Sequence, residues 1–73
     1  MNYWLNLSDA SKIAESIVKR FGMDVFPSAN HFFNKLDAWL EKHYPDFTII
    51  DFEIELEVDQ VTGEAILVSV KSL

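Results

Sequence analysis

The chain has 73 residues and no cysteine, which excludes disulfide bonds and thiolate metal sites. A chain of this length predicts one domain spanning residues 1–73, with a core that rarely supplies more than about 3–5 kcal/mol of stability. Hydrophobic residues make up 49% of the chain, more than so small a body buries readily, so we expect apolar surface to remain for a second copy or another protein.

The net charge of −6 has an uneven location. Acidic and basic residues balance in residues 1–45, whereas residues 46–73 carry seven acids against Lys71 alone. This distribution argues against direct binding to nucleic acid or to an anionic membrane, because both require positive patches. With no long apolar run and no secretory pattern in residues 1–4, we expect a cytoplasmic protein without cofactors or metal.

The first helix is predicted to begin after Ser8, a good N-cap residue, and to end at Gly22. Its apolar positions share one arc of about 140°: Ala10, Ile13, Ala14, Ile17, Val18 and Phe21. Residues 1–7 alternate loosely between apolar and polar, so they predict either a third strand or an earlier start of this helix.

After a connector at residues 23–26, Pro27 and Ser28 open a second helix that Pro45 terminates. Its apolar arc is also about 140° wide: Ala29, Phe32, Phe33, Leu36, Trp39, Leu40, His43 and Tyr44. A lone histidine inside such an arc is more typical of a core or boundary residue than of a catalyst. Trp39 lies at the edge of the arc and, with Trp4, is a candidate aromatic interface.

The period then changes from 3.6 to 2, which predicts a half-buried strand over residues 50–59. Ile50, Phe52, Ile54, Leu56 and Val58 would face inward; Asp51, Glu53, Glu55, Glu57 and Asp59 would face solvent. Gly63 predicts a turn, and residues 65–73 a return strand with Ile66, Val68 and Val70 inside. We favour a register that pairs Gln60 with Glu64 and Glu53 with Lys71, which leaves Leu67 exposed among the acids.

These elements predict an α+β fold of order (β)ααββ. The two amphipathic helices pack on one face of a short antiparallel sheet, formed by the C-terminal hairpin with or without an N-terminal strand. A two-stranded sheet is marginal alone, so completion by residues 1–7 or by a second chain is expected.

The acidic strand admits two interpretations. Its carboxylates can be a solvated face that prevents edge-to-edge aggregation, or a docking surface for a basic protein partner. The predicted partner-binding residues are Asp51, Glu53, Glu55, Glu57, Asp59 and Leu67. A flat row of carboxylates does not converge as calcium ligands do and offers no cleft for a catalytic pair.

Three hypotheses follow. The first is a non-enzymatic interaction module that also forms a homodimer, for example an inhibitor or regulator that imitates nucleic acid. The second is a structural accessory subunit or dimerisation domain of a larger assembly. The third is a small enzyme or ligand carrier whose site forms between subunits, and it would require a pocket that contains His43 and a nearby carboxylate.

Overall fold

The computed structural model describes the backbone of residues 3–73 and the side chains of residues 9–73. The elements in chain order are α1 (Tyr3–Phe21), β1 (Val25–Phe26), α2 (Ala29–His43), β2 (Phe52–Val58) and β3 (Ala65–Ser72), with a short 3₁₀ turn at Ile49–Asp51. The three strands form an antiparallel sheet in the order β1-β3-β2. Both helices pack on one face of it, so the predicted α+β class is confirmed.

Helix α1 begins at Tyr3, six residues before the start at Asp9 that a Ser8 cap predicts. The Ser8 cap is therefore wrong, and the alternative of an earlier start is confirmed. The third strand expected within residues 1–7 is wrong for residues 3–7, which are helical; residues 1 and 2 lie outside the described part. The helix ends at Phe21, where the Gly22 N–H donates to the Val18 carbonyl at 2.7 Å. A Cβ at Gly22 would collide with that carbonyl oxygen, which is why glycine suits this position.

Helix α2 has the predicted boundaries. The Ser28 hydroxyl accepts from the His31 N–H at 3.1 Å as the N-cap, and the helix ends two residues before Pro45. Three residues of its apolar arc are fully buried: Phe32, Leu36 and Leu40. Trp39 is half-buried, as predicted from its place at the edge of the arc. His43, predicted to be a core or boundary residue, is exposed, so the core position is wrong.

The third strand of the sheet is β1, which lies in the segment predicted to be a connector. Val25 pairs with Ile66 and Phe26 with Ala65. Two residues are too few for a period-2 pattern to be recognised in the sequence. The short strand nevertheless places Phe26 in the core and Val25 in solvent, because successive side chains point to opposite faces.

Strand β2 is shorter than the predicted residues 50–59. The 3₁₀ turn at Ile49–Asp51 precedes it and leaves Ile50 81% exposed. The prediction of Ile50 as an inward residue is therefore wrong, and Val58, at the other end, is 45% exposed. Only Phe52, Ile54 and Leu56 contribute to the inner face of β2, where all three pack in or against the core.

The hairpin register changes part-way along the two strands. Glu53 pairs with Lys71 as predicted, but a bulge follows the Glu55–Ser69 pair, and Leu56 then pairs with Leu67. Val68 is the extra residue of the bulge. Because a shift of one residue exchanges the two faces, Leu67 is buried at 7% exposure while Val68 is 50% exposed.

Two predictions about β3 are therefore wrong: Leu67 is not exposed among the acids, and Ile66 and Val68 do not face inward. The turn explains the change, since the Asp59 N–H donates to the Glu64 carbonyl at 2.8 Å and the loop holds four residues rather than three. Gly63 has the predicted positive φ, at 81°. This longer loop buries Ala65 and Leu67, and the bulge restores the register beyond them.

The core lies between the helices and the inner face of the sheet. The Phe32 ring is at its centre, with ring centroids of Phe21, Phe26 and Phe33 at 5.8, 5.1 and 5.3 Å in edge-to-face contacts. Such aromatic pairs contribute about 0.5–1.5 kcal/mol beyond the area they bury. Within the described residues neither helix covers the opposite face of the sheet, and Glu53, Glu55 and Glu57 of β2 lie on this uncovered face.

Candidate interaction face

The outer face of the sheet carries the strand acids that remain in solvent. Glu53, Glu55 and Glu57 alternate with the inward residues of β2, and all three are exposed. We call these three residues the acidic row. Neighbours in the row are about 6.6–6.8 Å apart along the strand, and their mutual repulsion is modest in water at physiological salt. The predicted exposure of these three glutamates is therefore confirmed.

The acidic row is not electrostatically uniform. Lys71 is the cross-strand neighbour of Glu53, and the Ser69 hydroxyl donates to the Glu55 carboxylate at 3.3 Å. The cross-strand neighbour of Glu57 is Ile66, which offers neither a cation nor a donor. Negative charge is therefore less compensated toward the turn, where Asp59 and Glu64 are also exposed.

The two outermost acids of the predicted site have structural roles. The Asp51 carboxylate accepts from the Thr48 N–H at 2.8 Å and closes a capping box around the 3₁₀ turn. The Asp59 carboxylate accepts from the N–H groups of Val61 and Thr62 at 2.7 and 3.1 Å. Hydrogen bonds from these two backbone groups, chiefly that of Thr62, hold the pKa of Asp59 below its usual value. Both acids thus lie outside β2 and stabilise its ends.

The apolar neighbours of the acidic row differ from the predicted one. Leu67 is buried on the inner face of the sheet, which packs against the helices, whereas Val25, Ile66 and Val68 are 62%, 38% and 50% exposed. Across the sheet, Val25 pairs with Ile66 and Ile66 with Glu57. We call Val25, Ile66 and Val68 the apolar strip; it lies beside the charged end of β2. No sequence pattern indicated Val25 as part of this surface, since its strand has only two residues.

The predicted aromatic interface is only partly described. Trp39 packs within its own chain, with ring centroids of Phe21, His43 and Tyr44 at 5.8, 5.4 and 5.4 Å. The Trp39 ring packs against the core and is only half-buried, so part of it is accessible to another protein. The side chain of Trp4 lies outside the described side chains, so its predicted role stays a prediction.

A shallow hollow of about 380 Å³ lies beside the end of α2 and contains His43 with the carboxylates of Asp9 and Asp46. It has the composition that the enzyme or ligand-carrier hypothesis requires. His43 is exposed there, so the imidazole is solvated rather than held in a desolvated cleft of the kind that tunes a catalytic group. Among residues 9–73, no three His, Asp or Glu side chains converge as a metal site would require.

Two further observations bear on function. No helix in the described range is long and apolar enough to cross a membrane. Comparison of the chain with protein-family models, curated proteins and solved structures gives no match. Function is therefore inferred from the geometry and charge of the described residues.

Proposed function

We propose that this protein is a small, non-enzymatic interaction module whose outer sheet face binds a basic protein partner. The observation that carries the proposal is the acidic row: Glu53, Glu55 and Glu57 are exposed on a sheet face that neither helix covers. The acidic half of the chain thus presents its strand charges on one surface, opposite the core.

This arrangement supports selectivity for a cationic surface. A row of regularly spaced carboxylates attracts a basic protein over a distance set by the ionic strength, which accelerates association and makes binding sensitive to salt. One form of this function is an inhibitor or regulator that imitates nucleic acid. Its partner would be a protein that normally binds the phosphates of nucleic acid. The cytoplasm is the compartment that we propose for it.

We expect the triple variant Glu53→Gln, Glu55→Gln, Glu57→Gln to lose salt-sensitive partner binding while it keeps its fold. The substitutions remove three negative charges from exposed positions and leave the packing beneath them unchanged. Partner capture from the native host at about 50 mM and about 500 mM salt, followed by affinity measurement with the purified partner, would measure the effect. We expect a loss of at least about tenfold in affinity at the lower salt.

The matched control is Glu15→Gln, Asp37→Asn, Glu41→Gln, which changes the net charge equally at exposed positions of the two helices. It should bind as the unmodified protein does. Equal loss in both triple variants would mean that only net charge matters, and no loss in either would remove the acidic row from the interface.

The second candidate function, a dimerisation domain or accessory subunit, has its own supporting observation. Strand β1 pairs only with Ala65 and Ile66, so residues 67–72 of β3 have no strand partner on that side within the described range. Beside this edge runs a groove of about 510 Å³ between α1 and β3, with Ala14, Val18 and Val70 among its lining residues. An unpaired edge next to apolar side chains is suited to strand addition from a second copy.

On this candidate, we expect Val18→Lys to convert a dimer into a monomer in sedimentation experiments. Val18 is an exposed helix position at 38%, where lysine is at least as good a helix former as valine, so the fold should persist. Val61→Lys, at a turn position 94% exposed and outside the groove, is the matched control. A protein that sediments as a monomer at every concentration contradicts this candidate.

A further inference from the structure

A shallow depression of about 520 Å³ lies at the turn end of the sheet, where the apolar strip meets the uncompensated charge. Three of its lining side chains are apolar and three are acidic: Val25, Val58, Ile66, Glu57, Asp59 and Glu64. The apolar members are 62%, 45% and 38% exposed. The depression therefore places exposed apolar side chains next to carboxylates.

The sheet register explains why these groups are adjacent. Val25, Ile66 and Glu57 form one row across the three strands, and neighbouring strands lie about 4.8 Å apart. The backbones of β1 and β2 are therefore about 10 Å apart along this line, and Ile66 lies between Val25 and Glu57.

The two acids of the turn are held in position by hydrogen bonds. The Asp59 carboxylate accepts from the N–H groups of Thr62 and Val61, and these bonds lower its pKa. The Glu64 carboxylate accepts from the Thr62 hydroxyl at 3.3 Å. The negative rim is thus partly preorganised, so a ligand would not have to order every group that it meets.

We propose that this depression receives an arginine side chain of the partner, an inference that rests on the proposed function of the outer face. The aliphatic stem of arginine would cover the apolar strip, as such stems do on apolar surface elsewhere. Its guanidinium would meet the carboxylate rim, where it can donate up to five hydrogen bonds and is more weakly hydrated than an ammonium group. A neutral apolar side chain would cover the strip but leave the carboxylates beside it without a counter-charge.

The test uses two synthetic decapeptides of alternating lysine and serine with one central position changed. One peptide has arginine there and the other has citrulline, which has nearly the same shape but no charge. We expect the protein to bind the arginine peptide about tenfold more tightly than the citrulline peptide. Titration followed by backbone amide NMR should show the largest differences between the peptides at Val25, Gln60 and Ile66.

Two variants probe the depression itself. Val25→Ser removes part of the apolar strip and Glu64→Gln part of the rim, and each should reduce the preference for arginine at least about threefold. Val61→Ser, at an exposed turn position outside the depression, is the control and should keep the full preference. The amide spectrum of each variant reports whether it remains folded.

The outcomes separate this inference from the proposed function. Equal binding of the two peptides, lost on Glu53→Gln with Glu55→Gln, would overturn the arginine site and leave the acidic row as the docking surface. A preference for arginine that survives both Val25→Ser and Glu64→Gln would also overturn it. Failure of both peptides to bind at low salt would count against the proposed function as well.

Discussion

Leu67→Ala should destabilise the protein by about 2–5 kcal/mol, whereas Val68→Ala, one residue further along β3, should change its stability by about 0.5 kcal/mol or less. Leu67 is 7% exposed and belongs to the core, while Val68 is 50% exposed on the outer face. Removing buried methyl groups forfeits their transfer free energy and leaves a cavity, and removing exposed ones does neither. Urea unfolding followed by circular dichroism measures both variants.

This pair of neighbours tests the bulge directly. A uniform register with Glu53 opposite Lys71 would reverse the two effects, because Val68 would then be buried and Leu67 exposed. A larger loss for Val68→Ala than for Leu67→Ala would therefore contradict the observed pairing of Leu56 with Leu67.

Phe32→Ala should cost about 3–5 kcal/mol of unfolding free energy, which is as much as a core of this size supplies in total. Phe32 is fully buried, and its ring meets the rings of Phe21, Phe26 and Phe33 edge to face. We therefore expect the variant to lose its cooperative thermal transition and its dispersed amide spectrum.

Phe33→Ala is the matched comparison on the same helix. Phe33 is only partly buried against the core, so we expect a smaller loss and a retained cooperative transition. Phe32→Leu keeps a hydrophobic side chain at the central site and should remain folded with reduced stability, which makes the effect measurable if the alanine variant is unfolded. A Phe32→Ala variant as stable as Phe33→Ala would place the centre of the core elsewhere.

The two proposed surfaces lie on different parts of the molecule. The acidic row and its depression occupy the outer sheet face, whereas the groove beside α1 lies along the unpaired edge of β3. A dimer formed at that edge would leave the acidic row of each copy exposed. The two candidate functions are therefore compatible, and the substitutions made within each surface share no residue.

Local sequence signals predicted most of the secondary structure. Ser28 caps α2 and Pro45 follows its end because each acts on the backbone within a few residues. Gly63 supplies the positive φ of the turn. Period-2 alternation predicted the acidic row in solvent, because a strand that buries one face exposes the alternate side chains on the other. None of these features requires knowledge of what packs against them.

The error in the sheet arose where a distant segment determines the outcome. The N-terminal strand was wrong because Val25 and Phe26 occupy the edge of β3, and that pairing joins residues about forty positions apart in the chain. The candidate site changed for a local reason: Asp51 and Asp59 accept hydrogen bonds from backbone N–H groups two or three residues away, at the two ends of β2. Period-2 alternation does not show where a strand ends.

The sequence by itself determined the two helices, the hairpin and the solvent face of Glu53, Glu55 and Glu57, because hydrophobic period and capping chemistry are local properties. Only the tertiary structure decided which side of β3 is buried. A bulge permits either set of alternating residues to face the helices, and the choice of Leu67 over Val68 follows from the four-residue turn and the space beneath α1 and α2. That choice also placed Ile66 beside Glu57, and so created the mixed apolar and acidic surface from which the arginine site is inferred.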